Sequence, residues 1–179
     1  MTDYEVSRSA VLPGDIGRVH ALLDDFHHWP SWSPWEELDP DMSRTYSGAE
    51  SGVGARYAWS GNKRAGAGAM EITESRPEHI EVALEFQKPF KSRSTVSFDL
   101  ATVAGGTQLR WTHTGSVSGV MGLMTRFYSM EKAIAPDMEK GLAKLATVAA
   151  RPASTDLFGR ARLRNPIAYV SRGDLGCRS

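Results

Sequence analysis

The chain has 179 residues, 41% of them hydrophobic and 23% charged, with 21 basic and 21 acidic side chains. That is the composition of one folded domain rather than a disordered chain, and a net charge of zero argues against nucleic acid as a partner. The single cysteine, Cys177, leaves no internal disulfide and no multi-thiolate zinc site.

The segment before Ala10 carries Asp3, Glu5 and Arg8 and has no apolar run, so it does not read as a signal peptide. The longest stretch free of charged residues, Trp111 to Thr125, is too short and too rich in Ser, Thr and Gly to be an integral membrane segment. The expected location is cytoplasmic.

In chain order, Glu5–Val11 is a short strand. Pro13-Gly14-Asp15 turns into a helix capped by Asp15, with Ile16, Val19, Leu22, Leu23 and Phe26 on its apolar face. Pro30 and Pro34 restrict His27–Leu38 to short helical turns. Six strands follow. Met42–Ser47 leads to a turn rich in glycine at Gly48, Gly52 and Gly54. Ala55, Tyr57 and Trp59 alternate with Arg56, Ala58 and Ser60, and Gly61-Asn62 marks a hairpin. Met70 and Ile72 share a face. Ile80, Val82, Leu84 and Phe86 share another, as do Val96, Phe98 and Leu100, and then Leu109, Trp111 and His113. Period two with one apolar side means an antiparallel sheet covered on one face. The last element is a helix, with Ile134, Met138, Leu142, Leu145 and Val148 at spacings of three and four. It begins at Pro136 or carries an earlier segment kinked there. Periodicity stops near Ala150. Residues 150–179 hold six arginines against two aspartates and one apolar patch, Ile167–Val170. They read as a poorly ordered basic tail outside a domain spanning 1–149.

The fold class expected from this order is α+β: a curved antiparallel sheet wrapped around a long C-terminal helix. Such a sheet gripping one helix tends to leave a hollow, and an apolar hollow is a ligand site by default.

The passages FHHWPSWSPWEELDPDM (Phe26–Met42), TYSGAESGVGARYAWSGNK (Thr45–Lys63), GAGAMEITESRP (Gly66–Pro77) and MEKGLAKL (Met138–Leu145) resemble the START-like, or SRPBCC, helix-grip superfamily. The likeness is to its polyketide cyclase/dehydrase-like branch, over about residues 3–149. The resemblance implies the helix-grip fold. It leaves function open among lipid carriers, aromatase/cyclases, hydroxylase domains and co-chaperones.

By alternation, Tyr57, Trp59, Met70, Leu84 and Phe86 fall on inward faces, as do Phe98, Trp111 and His113, with Met138 on the facing helix. These nine are the candidate ligand-binding walls. A filled core is the competing reading, because packed apolar area is strongly stabilising. Trp29, Trp32 and Trp35 form either a cavity mouth or a plug, and the plug is the simpler reading. His113 could orient a ligand carbonyl or act as a general base. With no partner visible in the sequence, a hydrogen-bonded strand-end histidine is simpler. Glu74 falls in phase with Met70 and Ile72 and could point inward, although a surface place beside the turn is simpler.

His27-His28 does not make a metal site, since neighbouring residues face apart and no third ligand is near. No P-loop, GxSxG, HExxH or CxxC motif is present, and no Rieske spacing, so no cofactor is expected. The leading expectation is a protein that binds a hydrophobic or aromatic small molecule, or a lipid, in an internal cavity. The alternatives are a cyclase/dehydratase-type enzyme using His113, Tyr57 and Glu74, and a co-chaperone-like interaction module.

Overall fold

The computed structural model describes residues 2–89, 91–117 and 130–151. The expected tail, apart from its first two residues, lies outside the described residues. So do residues 118–129, which include Met121, Leu123 and Met124.

The chain runs β1 (Thr2–Leu12), α1 (Ile16–Asp24), two 3-10 turns (Phe26–Ser31 and Pro34–Glu37), and β2 (Ser43–Gly48). It continues through β3 (Ala55–Ser60), β4 (Ala67–Arg76), β5 (His79–Lys88), β6 (Ser92–Val103) and β7 (Gly106–Val117), then α2 (Met130–Ala150). The seven strands form one sheet in the order β1-β7-β6-β5-β4-β3-β2. Every neighbouring pair is antiparallel. This is the expected α+β helix-grip fold. β1 and β7 outrun their apolar alternation because their ladder continues from Leu12–Thr107 to Thr2–Val117, and β6 does so because it pairs β7 from Val103–Gly106 to Ser94–Gly115, in each case through polar residues that periodicity does not register.

Asp15 caps α1, its carboxylate accepting from the Arg18 amide at 2.9 Å. Val19 and Leu23 are its buried residues. Phe26, placed on this helix by periodicity, instead begins the first 3-10 turn. The second turn starts with Pro34 at a position that needs no amide donor. α2 contains Pro136 rather than starting at it, and buries Ala135, Met138, Leu142, Leu145 and Ala149.

Ion pairs hold α2 across the sheet. Arg8 on β1 reaches Glu131 at 3.1 Å and Glu139 at 2.9 Å. On the other flank Glu37 meets Lys140 at 2.8 Å and also Lys144, and these two ammonium groups lower its carboxyl pKa to about 2. Arg18 covers the end of α2, donating through Nε to the Ala149 carbonyl at 2.7 Å, through Nη2 to Val148 at 3.3 Å, and to Arg151. The Val148 and Ala149 carbonyls have no amide partner within the helix and carry its negative dipole end. Replacing Arg18 with alanine is expected to cost about 1–2 kcal/mol, measured by denaturant unfolding.

Candidate ligand cavity

The inward face of the sheet is filled at one end and hollow at the other. Ile80, Phe98, Leu100, Leu109 and Trp111 are at most 4% exposed. α1 and the tryptophan turns press on them. The cross-strand row Ile72–Val82–Val96–His113–Val6 marks the transition. Beyond it, Met70, Leu84, Phe86 and Trp59 face inward yet are only partly buried. Apolar side chains that turn away from solvent without being covered define an empty space. Here that space is about 410 Å³, between β3–β7 and the first half of α2.

Tyr57, Trp59, Met70, Leu84, Phe86, Trp111, His113 and Met138 line it. Phe98 does not, which corrects its expected place on the wall. Its ring centroid lies 6.0 Å from Trp29, 6.3 Å from Trp32 and 5.4 Å from Trp111, and these rings separate it from the hollow. The tryptophan segment divides between its two readings. Trp32 is fully buried, its indole donating to the Leu22 carbonyl at 3.1 Å, and serves as the plug. Trp29 and Trp35 reach the cavity wall.

Glycine sets two close approaches around this space. The indole of Trp59 lies over Gly68, where an added Cβ would sit 2.5 Å from the ring. Gly141 lets α2 approach Trp111, where a Cβ would come within 2.9 Å. The Trp111 indole nitrogen is buried and has no hydrogen-bond partner among the described residues. Trp32 and Trp35 stand edge-on to its ring at 5.7 and 5.6 Å.

The register orders the polar groups. One row across the sheet runs Tyr57–Met70–Leu84–Ser94–Gly115–Tyr4. Its middle is apolar and its two ends are polar. At the β7 end, His113 Nε2 and Ser94 Oγ are 3.0 Å apart, and Tyr4 packs edge-on against the imidazole with centroids at 5.7 Å. Burial lowers the His113 pKa to about 4, so the ring is neutral at pH 7. Burial also raises the Tyr4 phenol, with Ser94 acting in the opposite sense. At the β3 end, the Tyr57 hydroxyl donates to Glu36 Oε1 at 2.7 Å, and Arg44 Nε donates to Oε2 at 2.7 Å. Burial and this bond to Glu36 push the Tyr57 phenol far above its ordinary value, so its proton stays in place.

Glu74 is not part of this group. Its side chain is 42% exposed and pairs with Arg76. The ladder between β4 and β5 slips between Ile72 and Glu74, leaving Thr73 as an extra residue. That bulge breaks the alternation, so Ser75 points inward instead and donates to Asp24 at 2.6 Å. The carboxylate bonded to Tyr57 is Glu36, which lies between Trp35 and Glu37 with no motif to mark it. Ser94 and Tyr4 were likewise missed, although both fall in phase with inward residues. His27 pairs with Asp25 at 2.7 Å, and no group of three possible metal ligands occurs among the described residues. No helix there is long and apolar enough to cross a membrane.

A broader hollow of about 770 Å³ opens on the outer face of the sheet. Arg56–Glu71 at 3.0 Å and Arg93–Glu85 at 3.4 Å lie across it. These are exposed ion pairs on a solvated surface, not converging groups.

Comparisons with known proteins agree with this architecture. Residues 3–150 match the family described as "Polyketide cyclase / dehydrase and lipid transport". Protein CV1439 from Chromobacterium violaceum has 15% identity and a TM-score of 0.60, covering 83% of this chain and 99% of its own. Protein MLL2253 from Mesorhizobium loti has 19% identity and a TM-score of 0.61, covering 84% of this chain and 99% of its own. DynU16, a protein in the dynemicin biosynthetic locus, has 14% identity and a TM-score of 0.55, covering 80% of this chain and 46% of its own. At these identities the likeness is one of fold. No curated protein matches. The family match spans well over half of the chain, so the protein belongs to the polyketide cyclase/dehydrase and lipid-transport family of helix-grip proteins.

Proposed function

We propose that this protein binds one hydrophobic or aromatic small molecule, or a single-chain lipid, in the space between the sheet and α2. The observation that carries this reading is the set of inward, partly uncovered apolar side chains around a hollow of about 410 Å³. Leaving such a hollow forfeits packing energy, which a ligand would restore. The volume lies within the range of small-molecule pockets, roughly 300–1,000 Å³, and at its lower end. A compact ring system suits it better than a two-chain lipid.

Native mass spectrometry of protein from its own host tests the reading. A co-purifying small molecule supports it. A bare chain that also ignores a broad panel of lipids and polycyclic aromatics counts against it. Leu84 lies mid-floor and is only partly buried. Replacing it with tryptophan is expected to fill the space and weaken binding by about 100-fold or more, with a stability change of about 1 kcal/mol or less.

One observation favours a cyclase/dehydratase-type reading as the second. His113 is a neutral imidazole at the wall, with Ser94 on one nitrogen, so it could accept a proton from a bound substrate. Glu74 has no part in that version. Turnover unaffected by His113→Ala would remove it.

A further inference from the structure

The charges of the cavity wall are few and unevenly placed. Among the described residues they are Glu36, Asp137 and Arg64. Glu36 is the enclosed one, with its side chain 8% exposed. Arg64 is exposed, on the loop at the rim. Arg44, the partner of Glu36, is not among the lining residues, and its Nη1 is turned to the Met42 carbonyl at 3.0 Å. His113, the titratable group at the opposite end, is uncharged at pH 7. Asp137 is a second, half-buried carboxylate on the α2 side, so the wall carries two carboxylates, of which Glu36 is the more enclosed, and no enclosed cation.

Glu36 has spare capacity. A carboxylate has about four acceptor positions, and Tyr57 and Arg44 take one on each oxygen. A ligand O–H or N–H would find an acceptor there. A ligand carboxylate would lose its water and face a like charge where screening is weak.

We infer that Glu36 is the specificity-determining residue of this cavity: it selects neutral, hydrogen-bond-donating apolar molecules such as phenols and alcohols, and excludes ionised acids, free fatty acids included. The inference rests on the ligand-binding reading above and adds a sign and a residue to it. Like-charge contact across a desolvated interface typically costs several kcal/mol, so the discrimination is measurable.

Three naphthalene probes separate the possibilities by calorimetric titration of the full chain at pH 7.5. 2-Naphthol is neutral and donates, 2-methoxynaphthalene is neutral and cannot donate, and 2-naphthoate is an anion. The naphthol is expected to bind at least about tenfold tighter than the naphthoate and about fivefold tighter than the methyl ether. Glu36→Gln should bring the naphthol and naphthoate within about threefold of each other. The comparison in the unaltered protein needs no variant, so it stands if Glu36→Gln fails to fold. Naphthoate binding as tightly as naphthol overturns the inference and leaves the ligand-binding reading intact. An unchanged gap in a folded Glu36→Gln protein overturns the assignment to Glu36. If none of the three probes binds, the ligand-binding reading loses its support and the inference falls with it.

Discussion

Trp32→Ala is expected to destabilise the protein by about 3–5 kcal/mol, the range for removing a fully buried large aromatic. Trp32 is fully buried. Its ring meets Trp29 at 4.9 Å and Trp111 at 5.7 Å, so the loss leaves a void among rings that cannot all move in. Its indole bond to Leu22 is lost as well, freeing one acceptor at the end of α1. Urea unfolding should show the midpoint falling with little change in slope. Trp35→Ala, on the cavity wall and only partly buried, should cost much less. Equal losses for the two would contradict the division of this segment into plug and wall.

The second large effect depends on pH. His113 titrates near 6.5 when unfolded and near 4 when folded, because its burial penalises the imidazolium. Between those values the unfolded chain binds more protons, so stability falls as pH falls. The contribution of neutral His113 is fully present above about pH 6.5 and is exhausted below about pH 4. From pH 7.5 to 4.5 the loss amounts to about 2–3 kcal/mol. Comparing unfolding of the native protein with His113→Phe at both pH values isolates it from other groups. The variant should lose about 2–3 kcal/mol less than the native chain over that interval. Parallel losses would mean that His113 is not held neutral by burial.

Much of the fold was legible because alternation and helical spacing report which side of an element is apolar. Leu84, Phe86 and Met138 face the space between sheet and α2, the side that alternation and helical spacing give them. What alternation cannot report is whether an inward side chain meets protein or space. Phe98 and Leu84 have the same pattern in sequence, but one is sealed under three indole rings and the other looks into the hollow. Alternation also fails wherever a strand slips. The bulge at Thr73 turned Glu74 outward, and no glycine or proline in that stretch announces it. The polar ends of the cavity were hidden for another reason. Glu36 acquires meaning only from Tyr57 and Arg44, which reach it from β3 and β2. Ser94 likewise acquires meaning only beside His113. Such partnerships are products of the folded chain and leave no spacing in the sequence.

The central claim is that a ligand sits between the sheet and α2, and it is tested most directly by nuclear magnetic resonance during titration with 2-naphthol. The indole N–H signals of Trp35 and Trp59 and the amides of Leu84 and Ser94 should shift together and saturate at one equivalent. The exposed outer-face ion-pair residues Arg56 and Glu85 should remain unmoved. Shifts confined to that outer face, or a response that never saturates, would contradict the account.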